Sequence, residues 1–296
     1  AVDGSGNVYI ADAQNDRIQK LDTNLAFLSK FGSIGSGDGQ FQFPLGIALN
    51  SAGEIYVVDS GNSRVEVFRS SGAFLRKFGS EGLSAGQFYD PTGIAVDSSG
   101  NLYVVDTGNN RIQKFSPTGE FLAVIGGAGS GDGQFTSPVG IVIDHAGNIW
   151  VADSRNSRIQ KFDPRGDFLA AFGRWGFQDG QLLEPNGIAV DVAGNVYVAD
   201  FFAPDPTPGA SIARPASTSD PTLGRIQKFG ADGAFIGEIA VSGSDDGQVD
   251  FAEGLASDSS GNIYVAIPGI TGCRSSTLRE RLLQKQGWTI LPGMAG

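Results

Sequence analysis

Self-similarity at a fixed step constrains this chain more than any other feature. Pro44, Pro91, Pro138 and Pro185 stand 47 residues apart, and Asp12, Asp59, Asp106, Asp153 and Asp200 keep the same step. Arg17, Arg64, Arg111 and Arg158 follow it as well, and Arg225 arrives twenty residues late. Gln40, Gln87, Gln134 and Gln181 repeat it, and Gln248 is displaced by the same twenty. A period of this size means one supersecondary unit used repeatedly, each copy burying its apolar face on its neighbours. The delay places a single insertion at residues 201–224 and leaves the array otherwise in step.

Within a unit, four short apolar runs alternate with turn residues, for example Gly93 to Val96, Leu102 to Val105, Arg111 to Phe115 and Phe121 to Ile125. These are read as strands a to d. The breaks read "DSSGN", "DTGNN" and "SPTGE", all rich in residues that tolerate turn geometry. Runs such as "LYVV" are apolar on both sides of the pleat, which suits sheets stacked face to face. Gly46, Gly93, Gly140, Gly187 and Gly254 open strand a of successive copies, as expected where sheets converge on an axis and backbones approach closely. The fold class that follows is all-β, a radial array of four-stranded antiparallel blades.

The run "PTGIAVDSSGNLYVVDTGNNRIQKFSPTGEFL" resembles an NHL repeat, and the resemblance extends from residue 1 to about Ala266. It implies a six-bladed β-propeller, in agreement with the six copies of strands a and b. Blades are expected to start near residues 1, 44, 91, 138, 185 and 252, within a propeller spanning 1–271. The last blade is expected to be incomplete or irregular, since "GNIYVA" is followed by "IPGITGCRSS" with neither the Asp nor the "RIQKF" run. In the irregular segment 272–296, Thr277 and Glu280 have capping-box spacing and Leu278, Leu282 and Leu283 share a face. That pattern predicts a short helix over 278–286, with a distorted hairpin from "LLQKQGWTIL" as the competing reading. The first residues already lie inside a repeat. The chain is therefore read as a fragment of a longer protein, monomeric as a propeller, with its compartment unassigned.

Lys plus Arg total 21 against 32 for Asp plus Glu, a formal charge of −11, which argues against nucleic acid as partner. Cys273 stands alone, so neither an internal disulfide nor a cysteine-built zinc site is available. His145 is the only histidine and falls in the turn "DHAGN", which weighs against multi-histidine metal chemistry and a Ser-His-Asp triad. No apolar run is long enough to span a bilayer. The Asp and Arg pairs are assigned to the fold, because a catalytic residue is needed once and these recur. Asp59 with Arg64, Asp106 with Arg111 and Asp153 with Arg158 each bracket a four-residue turn across a hairpin mouth. The "GDGQF" stretches at Gly37 and Gly131 are read as turns, one carboxylate being too few for calcium.

No cofactor is required by this reading, and the main expectation is a non-catalytic scaffold for a protein, peptide or glycan. The alternative is a calcium-dependent hydrolase: Asn186 and Glu253, with Asp200, resemble the sparse calcium-binding set of six-bladed lactonases. Departures from the repeat collect where the b-to-c turns and d-to-a connections meet. The insertion lies there, and the connection "GRWGFQDG" stands where others read "GSIGSGDG" or "GSEGLSAG". Large aromatics and arginine in place of small polar residues suit an interaction hot spot. The candidate patch is Arg155, Arg174, Trp175, Phe177, Phe201 and Phe202.

Overall fold

Each unit folds as an antiparallel meander because its apolar runs are four to seven residues long and its breaks build their own hydrogen bonds. In blade 3, Asp97 ends strand a and its Oδ1 accepts the N–H groups of Ser99 and Asn101, while Gly100 turns the chain at φ 83°. The b-to-c turn is a single 3-10 turn, Thr107–Asn109, closed by Asn110 in the left-handed region. A computed structural model describes residues 1–201, 224–240, 252–266 and 288–291 of the chain.

Blades 2 to 5 are four-stranded sheets in the order a-b-c-d. Blade 2 comprises Pro44–Leu49, Ile55–Asp59, Arg64–Phe68 and Phe74–Phe78. Blade 3 comprises Pro91–Val96, Leu102–Asp106, Arg111–Phe115 and Phe121–Ile125. Blade 4 comprises Pro138–Ile143, Ile149–Asp153, Arg158–Phe162 and Phe168–Phe172. Blade 5 comprises Glu184–Val190, Val196–Phe201, Arg225–Phe229 and Phe235–Ala240. Residues 202–223 of the expected insertion lie outside the described residues, but the strands on either side of it pair in the usual register, Asp200 opposite Arg225.

Two blades differ from the repeat. Blade 1 has strands Val8–Asp12, Arg17–Leu21 and Phe27–Phe31, and its strand a is reduced to one bridge, Val2 to Val8. The first of the six expected copies of strand a is thus present only as this bridge. Blade 6 has Gly254–Ser257 and Ile263–Ala266, joined by Trp288–Leu291, which runs parallel to its neighbour and not antiparallel. A two-residue hairpin cannot make a parallel pair, so the missing "RIQKF" run removes the meander here, as the irregular last blade foresaw. The segment 278–286 lies outside the described residues.

The inner glycines do what the sequence suggests. Strand a pairs through its proline, then bulges before resuming, as between Pro91 and Ile94. Gly93 lies in that bulge, where a Cβ would meet the carbonyl oxygen of Val139 in the next blade at 2.5 Å. Between blades, the core forms as successive apolar layers. Tyr56, Val58 and Val65 of blade 2 pack on Phe88, Leu102, Val104 and Phe115 of blade 3. Phe115 is fully buried against the rings of Phe78, Phe88 and Phe121. Each such ring contributes about 1.5–3 kcal/mol. Val8 and Leu21 of blade 1 pack on Tyr264 of blade 6, so the ring closes through side chains without a shared sheet.

Candidate interaction face

Two faces follow from strand direction. The a-to-b and c-to-d turns form one; the b-to-c hairpins and d-to-a connections form the other, called here the connector face. On the first, an aromatic residue of strand b gives its polar edge to a turn carboxylate while a cation covers the ring. Trp150 Nε1 donates to Asp144 at 3.0 Å with the Lys161 ammonium 4.4 Å from the indole centroid, and Tyr103 repeats this with Asp97 and Lys114. Blade 2 reaches the same end with other residues. Asn50 and Glu54 exchange the acid and the amide, Val67 replaces the lysine, and Arg76 from strand d supplies the cation. Hydrogen bonding from Arg76 holds the Glu54 carboxyl down at about 2. Repetition in blade after blade marks this face as structural, and the exposed His145 sits among these turns.

On the connector face the repeated Asp and Arg residues form clamps. Arg111 Nε donates to Asp106 Oδ2 at 2.7 Å, Tyr89 N–H donates to Asp106 Oδ1 at 2.8 Å, and Arg111 Nη2 donates to the carbonyls of Ser84 and Gln87. Asp59 with Arg64 and Asp153 with Arg158 repeat the pairing at 2.8 and 2.7 Å. Each pair thus ties its hairpin to the connection that leads into the same blade. The "GDGQ" stretches are turns, with Gly37 N–H donating to Gln40 Oε1 and Gly131 N–H to Gln134 Oε1.

Asp200 belongs to this set. Its Oδ1 accepts the Leu183 N–H at 2.7 Å and its Oδ2 the Arg225 Nε at 3.2 Å, while burial pushes its carboxyl up to about 6. Asn186 lies in the inner strand, its carbonyl oxygen against Gly140. Glu253 N–H donates to the Ala266 carbonyl, and its carboxyl is reached by water yet ringed by enough protein for desolvation to raise its pKa. Among the described residues no three His, Cys, Asp or Glu side chains are placed to hold a metal ion.

The structure brings part of the predicted patch together. The rings of Trp175 and Phe177 meet edge to face with centroids 5.6 Å apart, and the indole is 56% exposed. A bridge from Trp175 to the buried Leu182 anchors the backbone beneath it. The Phe177 carbonyl accepts Arg225 Nη1, which links this connection to Asp200 and so to the neighbouring Phe201, paired in register with Glu184. Arg174 and Arg155 are exposed, the latter on the adjacent hairpin whose Ser157 hydroxyl donates to the Leu183 carbonyl at 2.7 Å. Phe202 lies outside the described residues.

Sequence reasoning missed a second group on this face. Ile34 and Leu83 are 73% and 74% exposed, and Phe43 and Tyr89 about half exposed. The signal was present column by column: Phe43 stands where other copies have Asp90, Ser137 and Glu184, and Tyr89 where they have Gln42, Thr136 and Leu183. The connections of this face are acidic, with Asp38, Glu81, Asp90, Asp132 and Asp179 all exposed.

The NHL repeat model matches residues 41–68, 88–115 and 135–162, each segment running from the connector phenylalanine to the end of strand c. This chain is an NHL-repeat protein. Its fold is that of six-bladed propellers. A catalytically inactive histidine-to-alanine form of virginiamycin B lyase from Staphylococcus aureus, solved with quinupristin, is 16% identical over 90% of this NHL-repeat chain and 75% of the lyase, with TM-score 0.57. A nidogen/laminin complex matches at 17% identity over 88% of this chain and 84% of that one, with TM-score 0.61. A gluconolactonase of Xanthomonas campestris matches at 18% over 78% and 72%, with TM-score 0.53. No curated protein matches the NHL-repeat chain. Likeness at these identities establishes the shared propeller. Among the described residues no helix is long and apolar enough to cross a membrane.

Proposed function

We propose that this NHL-repeat propeller is a non-catalytic scaffold that holds a protein, peptide or glycan partner on its connector face, centred on Trp175. The observation that supports the reading is an exposed indole on an anchored backbone, in contact with Phe177 and next in the chain to Arg174, with the exposed Arg155 on the same face; neither guanidinium makes an ion pair among the described residues. A rigid aromatic on a face that also presents exposed arginines has the composition of a binding hot spot. The polar residues that would otherwise suggest catalysis are spent on the hairpin clamps. The lyase whose histidine-to-alanine form is inactive depends on a histidine, whereas the single histidine here is exposed on the opposite face. The nidogen propeller, solved with laminin, shows the same architecture in a protein complex.

The test is affinity capture on the immobilised propeller, followed by titration of the purified partner against wild type and Trp175→Ala. A central anchor predicts a loss of at least about 2 kcal/mol, roughly thirtyfold in Kd. Unchanged affinity in the variant, with an unchanged melting curve, rejects the site.

A further inference from the structure

We propose that blades 1 to 3 carry a second docking surface on the connector face, shaped for a peptide segment with lysine or arginine beside a bulky apolar side chain. The proposal rests on the reading of that face as the interaction face, and adds a separate location and a partner chemistry.

Four side chains define it. Ile34 and Phe43 lie on the connection from blade 1 to blade 2, Leu83 and Tyr89 on the next one, and all four are exposed. Two are held in ways that packing of the propeller does not require. Phe43 has φ 56°, in the left-handed region, and its N–H is fastened to Asp16 Oδ1 at 2.7 Å. The equivalent left-handed positions hold Asp90 and Ser137, residues suited to such turns. An aromatic residue there is sterically disfavoured, and its ring remains half exposed, so the strain is not offset by burial. Tyr89 lies across Gly108 of the neighbouring hairpin, where any Cβ would collide with the ring. Its orientation is therefore set while one side faces water.

The electrostatics select the partner. Residues 32–43 and 79–90 contain no lysine or arginine, but do contain Asp38, Glu81 and Asp90. The nearby Arg17, Arg64 and Arg111 are each spent on the aspartate of their own hairpin. Lys77 lies 2.8 Å from Asp38 and offsets that charge. Nucleic acid and anionic lipid would meet repulsion, whereas a cationic segment gains complementary charge around apolar contacts.

The test uses a random dodecapeptide library displayed on phage, selected on the wild-type protein, with enriched sequences resynthesised as fluorescein-labelled peptides for anisotropy titration. Enrichment in Lys or Arg beside an aromatic or aliphatic residue is expected, with binding that weakens as salt rises. Affinity should fall about tenfold or more both in Phe43→Asn with Tyr89→Ser and in Asp38→Asn with Glu81→Gln and Asp90→Asn. Asparagine suits the left-handed positions, so these variants should fold, and melting curves verify it. Trp175→Ala should leave these peptides bound. Neutral or acidic consensus sequences, or equal binding by the variants, overturn the proposal. Peptides lost only in Trp175→Ala overturn it while leaving the connector-face reading intact. Absence of any enriched peptide rejects this surface, and the partner titration on Trp175→Ala then decides the broader reading separately.

Discussion

Replacing Glu66 with glutamine should stabilise the propeller at alkaline pH and do almost nothing near pH 4.5. The other described blades carry Gln19, Gln113, Gln160 and Gln227 at this position of strand c. The Gln113 amide donates to Asp106 Oδ2 at 2.9 Å and to the Gln87 carbonyl at 2.6 Å, and its Oε1 accepts the Gly86 N–H at 2.9 Å. A carboxylate cannot donate, so in blade 2 Glu66 confronts Asp59 with acceptor against acceptor. Glu66 is fully buried and neither of its oxygens has a hydrogen-bond partner, although Arg64 Nη2 lies 3.0 Å from Oε1. Burial raises the Glu66 carboxyl to about 7 and Asp59 adds to the rise, while the positive charges of Arg64 and Lys77 oppose it.

The folded pKa thus exceeds the ordinary value of 4.5, and the folded state holds the proton more tightly. Stability falls as pH rises from about 4.5 and the loss is complete above about 7. At about 1.4 kcal/mol per pKa unit the loss is about 3 kcal/mol, an upper value because water and chain relaxation soften buried charges. Glutamine removes it by restoring a donor. Urea unfolding of wild type and Glu66→Gln at pH 4.5 and pH 8 measures the effect, since other titrations cancel in the difference between the proteins. A gain of about 2–3 kcal/mol confined to pH 8, with unchanged slope, is expected. Equal differences at both pH values, or none, refute the reasoning.

Phe43→Asn should raise stability by about 0.5–1 kcal/mol in the same assay, because the left-handed conformation costs a bulky residue about 1–2 kcal/mol and the half-exposed ring recovers only part. Gly93→Ala should cost about 2 kcal/mol or more, since the new methyl meets the Val139 carbonyl and backbone cannot step aside; a change under about 0.5 kcal/mol would contradict the close approach. Asp200→Ala should lower the urea midpoint by the equivalent of about 3 kcal/mol, equally with calcium or chelator, because it strands Arg225. A loss seen only with calcium would return Asp200 to a metal site.

Much of the fold was legible because a repeat encodes contacts that close within one unit or between neighbours. The step of 47 residues, the inner glycines and the Asp106 and Arg111 pair are all local in this sense, and the pair survives in Asp200 and Arg225 across the insertion. Departures were harder to read. Trp175 announces itself by size, but Phe43 and Tyr89 resemble core aromatics until the backbone is built, when φ at one and the glycine beneath the other turn them outward.

By itself, then, the sequence determined the blade, its count and its hairpin clamps, since these depend on short-range hydrogen bonds and on alternation along strands. Only the tertiary structure decided that Val8 and Leu21 meet Tyr264 to close the ring, that blade 6 takes a parallel third strand, and that Glu66 is buried without a donor to offer. Those outcomes depend on segments far apart in the chain and on what surrounds a side chain from several directions, which no local pattern records.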